Sequence, residues 1–195
     1  MVRSGAVKFL VISGMLGCTS LLAHPGHGAD SFSAGAAHPL AGADHVLAML
    51  AIGLWAAQIG GRAMWIIPGT FIAAMLGGGL LAFSGMSLPM VEGGIAASVL
   101  VLGLVVACAW KATASAGVAL AMVFALFHGY AHSAEMSENA WALGYSAGFV
   151  FSTALLHASG LGLALVIKQV ASEKLVRVSG GAIALCALPM IAGLM

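Results

Sequence analysis

Charge is what this sequence has least of. Of its 195 residues only 7% are Asp, Glu, Lys or Arg, against about 25% in an average soluble domain. So little charge cannot coat a soluble globule. Most of the chain must face lipid or other apolar helices, and 62% apolar residues and a mean hydropathy of +1.09 agree. A formal net charge of +1, with no basic stripe, excludes a nucleic-acid interface. Of the three cysteines, Cys18 lies near the start and Cys108 and Cys186 lie inside apolar runs. With no CxxC spacing they read as small core residues, not as a zinc site or a disulfide. No GxxxxGK[ST] stretch is present, so the chain carries no P-loop for ATP.

What is present is a succession of apolar runs. Residues 1–23 read as a cleaved secretory signal, with Arg3 and Lys8 ahead of a short apolar stretch and small residues after it. An uncleaved first span is the alternative. Residues 24–37 form a periplasmic segment in which Gly and Pro make His24 to Asp30 a loop. There His24 and His27 either collect a divalent metal weakly or belong to a plain polar tail. Residues 38–195 hold six apolar segments, near 38–58, 64–83, 90–110, 113–132, 141–167 and 178–195. Each is close to the ~20 residues that cross about 30 Å of hydrocarbon. The expected fold is an all-α integral membrane protein, a bundle of about six transmembrane helices after a signal peptide. With the mature N-terminus outside, the first, third and fifth links are cytoplasmic. They hold Arg62, Lys111, Lys168, Lys174 and Arg177, and the other links hold no Lys or Arg. Both ends are then periplasmic, in a bacterial inner membrane. Abundant Gly and Ala suit close helix packing, and Gly144 and Gly148 form a GxxxG match for a contact within the bundle or between copies.

The ionisable groups that remain stand out. Pro39 suits a first helical turn, and on the helix it opens His38 and His45 lie seven apart, almost on one line that Met49 continues. Asp44 points about a third of a turn away. At the end of the fourth segment His128, His132 and Glu135 share one stripe, a chelating geometry for a borderline divalent metal. Glu92 begins the third segment. By topology all of these lie towards one membrane face, where ionisable groups mark a site or pathway. His157, some 16 residues into the fifth segment, is expected about 24 Å along it. That is towards the cytoplasmic side, as a later step on a path or a hydrogen-bonder beside Ser152 or Ser159.

These motifs resemble those of the HupE/UreJ family of nickel, and possibly cobalt, permeases. HPLAGADHVLAM contains His38-x5-Asp44-His45 and is similar to the family's first-helix signature. FHGYAHSAE, over 127–135, resembles its second signature, with Ser133 where Gly is expected. VEGGIAASV, around Glu92, resembles its third-helix glutamate region. The resemblance covers essentially the whole mature chain. It implies metal-handling roles for His38, Asp44, His45, Glu92, His128, His132 and Glu135, and Ni²⁺ or Co²⁺ as transported substrate with no prosthetic group. It also implies an association with hydrogenase or urease maturation.

The function expected is secondary uptake of nickel across the cytoplasmic membrane, with His24 and His27 collecting the ion and Met49 or His157 on the way inward. The partners expected are a divalent metal ion and the lipid bilayer; a homo-oligomer or a periplasmic metal donor stay open. The rival is an intramembrane zinc-dependent hydrolase, with Ser133 or Glu135 serving catalysis. A haem-binding electron carrier is a further alternative.

Overall fold

A computed structural model describes residues 27–136 and 140–193. The leader and His24 lie outside them. Among the described residues there are seven helices and no strand: α1 (His27–Ala41), α2 (Ala43–Ile59), α3 (Ala63–Phe83), α4 (Val91–Ala107), α5 (Ala114–Ala134), α6 (Ala142–Val170) and α7 (Glu173–Ile191).

The bundle is built around α2, which is apolar on every side and buries 11 residues from His45 to Gln58. Helices α1, α3, α4, α6 and α7 all pack on it. Glycine sets the spacing. In four helix pairs a glycine on each partner lies against the other's backbone: Gly35 and Gly148 for α1 and α6, Gly53 and Gly160 for α2 and α6, Gly78 and Gly129 for α3 and α5, Gly103 and Gly180 for α4 and α7. A Cβ at any of the eight would run into a neighbouring main chain. Lipid offers no hydrophobic drive between helices, so close backbone contact supplies the cohesion. Gly148, from the GxxxG match, is thus used inside the bundle, against Phe32 and Ala36.

Helices α3, α5, α6 and α7 are long and apolar enough to cross a membrane, and the bent pair of α1 and α2 together passes the same test, as a broken span or a re-entrant loop. At 17 residues α4 reaches only about 25 Å. It stops because Ala109 takes a left-handed turn (φ 50°). The Ala109 and Trp110 N–H groups then donate back to the Val106 and Val105 carbonyls, at 3.0 and 2.9 Å, which closes the helix end. Trp110 lies outside the helix, although the third segment was expected to reach it.

Other expectations need correction. The first segment is not one straight helix. It breaks at Gly42, whose extended backbone (φ −98°, ψ 122°) separates α1 from α2, and the two axes differ by 83°. Pro39 sits in the last turn of α1, not the first turn of a span. Residues 27–30, expected as loop, begin α1. The charged stretch 168–177, expected as a link, is mostly helical, with Lys168 inside α6 and Lys174 and Arg177 inside α7. Long basic side chains can lie along a helix and still reach polar groups at its end. Lys168 Nζ donates to the Ala57 carbonyl (2.8 Å) and Arg177 Nε to the Ala107 carbonyl (2.8 Å), so they tie the C-terminal ends of α2 and α4. Cys108 and Cys186, expected in the core, are both exposed, and neither forms a disulfide.

Candidate metal centre

Two helix ends and one helix break bring four histidines together. His128 and His132 lie one turn apart on α5, their rings stacked at 21° with centroids 6.4 Å apart. Glu135 is the C-cap residue of α5. His45 lies in the first turn of α2, where its N–H donates to Asp44 Oδ1 at 2.7 Å and so finds a partner that the helix cannot give it. His38 lies in the last turn of α1. The straight line expected between His38 and His45 does not exist; the bend at Gly42 carries both to the same α5 stripe.

The histidines form two overlapping ligand sets. In the outer set, His38 Nε2 is 2.7 Å from His132 Nδ1 and 3.1 Å from Glu135 Oε2, which lies 3.4 Å from His132 Nδ1. In the inner set, His45 Nδ1 is 2.6 Å from His132 Nε2 and 3.0 Å from His128 Nδ1. Within each set one ligand atom per residue lies within 4.8 Å of the others. His132 belongs to both, through different nitrogens. Exposure falls steadily inward: the side chains of Glu135, His38 and His132 are 56%, 29% and 12% exposed, and His45 and His128 are fully buried.

Second-layer contacts decide which nitrogens are bare. Ser98 Oγ donates to the Ile95 carbonyl at 2.6 Å, so its oxygen is left to accept from His128 Nε2 at 2.8 Å. In that arrangement the proton of His128 is on Nε2, and its Nδ1 lone pair faces His45. His132 behaves alike when Nδ1–H donates outward to Glu135 or His38, which leaves Nε2 bare towards His45. His45 is the ring that adapts. As an Nδ1–H donor it serves its neighbours; as the Nε2–H tautomer it completes three bare nitrogens. Its Nε2 has no protein hydrogen-bond partner among the described residues. A tetrahedral ion with bonds of about 2.0–2.1 Å needs nitrogens roughly 3.3 Å apart, so the His45–His132 and His45–His128 pairs, at 2.6 and 3.0 Å, would part by about 0.7 and about 0.3 Å to hold one. Imidazole nitrogen suits nickel, copper and zinc alike.

The walls are apolar. Phe149 lies with its ring centroid 5.0 Å from His132, 5.1 Å from His45 and 6.2 Å from His38, and Tyr145 lies 5.9 Å from His38. A cation in such surroundings is poorly solvated unless ligands touch it directly.

Other sequence-predicted residues lie elsewhere. Asp44 and Glu92 do not join the histidines; they line a separate cavity of about 720 Å³ with Leu100 and Met190, between α2, α4 and α7. Met49 is fully buried in the core, and its carbonyl accepts from His157 Nδ1 at 3.0 Å. His157 was expected nearer the far end of its helix. Its ring meets α2 one turn below His45, near the middle of α6, because α6 is 29 residues (about 43 Å) long. Ser152 and Ser159 are not its partners; they donate to the Ala36 and Leu155 carbonyls. His27 is the first residue of α1. Ser98, Tyr145 and Phe149 escape sequence reasoning. The only available signal is that Tyr145 and Phe149 lie four apart, beside the GxxxG glycines.

The chain matches the family model described as HupE / UreJ protein over residues 12–190. It is also 44% identical over 171 residues to Protein HupE of Rhizobium leguminosarum bv. viciae, which spans 88% of this chain and 90% of that one. No solved structure matches.

Proposed function

This chain belongs to the HupE/UreJ family, and from that premise we propose that it is a secondary transporter of divalent nickel, with cobalt as an alternative cargo. It would work in a bacterial inner membrane with six spans and both mature ends periplasmic, residues 1–23 being removed as a signal. The metal would supply hydrogenase or urease.

The observation that carries this reading is the buried trio of His45, His128 and His132, whose ring nitrogens converge in an apolar wall. Outside it, Glu135, His38 and His132 offer a carboxylate and two imidazoles to a hydrated ion at the mouth. The carboxylate offsets charge there while water is still available. Turning from Nδ1 to Nε2 of His132, the ion exchanges its remaining water for His45 and His128. Few ligands at a time, shared between different helices, suit a site that must both dehydrate and release its cargo. Asp44 acts on this site through the main chain, since its carboxylate holds the His45 N–H. Asp44 and Glu92 would also draw cations to their own cavity near the same end of the bundle. The hydrolase alternative is not favoured by the family to which the chain belongs.

Radioactive nickel uptake by cells expressing the chain tests the proposal, alongside equally expressed His128→Ala and Asp44→Asn variants and with Co²⁺ as competitor. Uptake well above empty cells is expected, falling roughly tenfold or more in His128→Ala, by analogy with the loss that follows disturbance of a metal's ligand shell. Folded protein in the membrane with neither nickel nor cobalt uptake would overturn it.

A further inference from the structure

One more imidazole follows the inner trio, and the transport reading does not yet use it. His157 is 2% exposed. Its Nδ1 lies 3.0 Å from the Met49 carbonyl. A carbonyl can only accept, so Nδ1 carries the proton and Nε2 holds the lone pair. That Nε2 is buried and has no protein hydrogen-bond partner among the described residues. His128 is built the same way: one nitrogen tied to an oxygen that is itself anchored, the other bare. This is the usual construction of a metal-binding histidine, whose outer N–H is fixed so that the ring is aimed and its tautomer set. A histidine that served only to join α2 to α6 would need Nδ1 alone, and a bare buried Nε2 would then be a standing cost.

Its position fits a succession. Met49 is four residues beyond His45 on α2, so its carbonyl lies about 6 Å deeper. The Phe71 ring lies against both imidazoles, with centroids 5.9 Å from His128 and 5.3 Å from His157. An aromatic face tolerates a cation passing over it but offers no lone pair to trap one. The backbone behind His157 is fixed, because Gly53 packs against the His157 carbonyl and Gly160 against Leu50. One turn earlier on the same face of α6, the buried Thr153 hydroxyl donates to Met75 Sδ at 3.9 Å, so a soft sulfur lies on the same seam between α3 and α6.

We propose that His157 Nε2 is a further metal ligand, a station one helical turn deeper than His45 that receives the divalent cation past Phe71 from the inner trio. This rests on the transport reading above, and it assigns that transport a midway resting point.

Two variants separate it from a structural role. His157→Asn keeps an amide N–H for the Met49 carbonyl and removes the ring nitrogen. Radioactive nickel uptake should fall roughly tenfold or more, while the melting temperature of the purified protein stays near that of the wild type. Wild-type uptake by His157→Asn, beside an inactive His128→Ala, would overturn the deep station and leave the transport reading standing. No uptake by the wild type would instead remove the transport reading. The second variant, His157→Cys, tests the station in either case. Purified and given Co²⁺, it should show a near-ultraviolet thiolate-to-cobalt charge-transfer band that the wild type lacks, and absence of that band would refute a metal ligand at this position.

Discussion

At the scale of single residues, the proposed metal site depends on side chains that aim the histidines as much as on the histidines themselves. Ser98 is the clearest case. It is fully buried, and when its own proton goes to the Ile95 carbonyl it is the acceptor for His128 Nε2. Ser98→Ala would leave a buried N–H unpaired, at a cost of about 1–3 kcal/mol, and would free the ring to turn or to move its proton onto the nitrogen that faces His45. Nickel affinity of the purified protein, measured by calorimetric titration, should drop about tenfold to a hundredfold; unchanged affinity would detach Ser98 from the site. Nothing in the sequence points to Ser98, because its contact with His128 crosses from one helix to another. The His128–His132 pair is legible, because a four-residue spacing fixes a shared helical face. His38 and His45 are legible as residue types but not as geometry. Their seven-residue spacing suggests a line, and only the break at Gly42 shows why both face α5.

At the scale of elements, the helices are legible from apolar runs, and their ends are less so. Hydropathy shortens α7, because the charges of its first turns look like a link, and it lengthens α4, because Trp110 is apolar yet lies beyond the helix end. The packing rests on the glycine pairs. Gly129→Ala would press a Cβ onto the Met75 main chain in the tight contact between α3 and α5. Main chain cannot swing aside, so about 1–3 kcal/mol of destabilisation is expected. Gly162 meets nothing within 4 Å, so Gly162→Ala is the matched control. Thermal unfolding in detergent should show a lowered melting temperature for the first and little change for the second. Equal melting temperatures would remove glycine contact as the source of cohesion.

At the scale of the whole molecule, the two ends of the bundle differ. The histidines gather where α1 and α5 finish and α2 and α6 start. Arg62, Lys111, Lys168, Lys174 and Arg177 all fall at the opposite end. There Trp55 stacks on Trp110, with centroids 5.9 Å apart, and donates to its carbonyl at 2.8 Å. Gln58 donates to the Val106 carbonyl at 3.0 Å. This polarity was legible, since the links that hold the basic residues alternate along the chain with links that hold none. Cysteine labelling checks it. With Cys108 and Cys186 replaced by Ser, Ser87→Cys should react with a membrane-impermeant maleimide in intact cells, and Lys111→Cys only after permeabilisation. The reverse pattern would put the histidine end in the cytoplasm.

The route inward from the mouth has an electrical consequence. Among the described residues the carboxylate that meets histidine rings is that of Glu135, at the exposed end; beyond it come His45, His128 and His157, imidazoles that would bind metal in their neutral form. A divalent ion held by imidazoles alone keeps both of its charges. Each one carried through moves current, and an inside-negative voltage pulls it at about 2.3 kcal/mol per charge per 100 mV, or about 4.6 kcal/mol for two. On the proposed transport reading, that slope would let the bundle concentrate its cargo on the resting voltage of the cell, and accumulation should then collapse when that voltage is short-circuited.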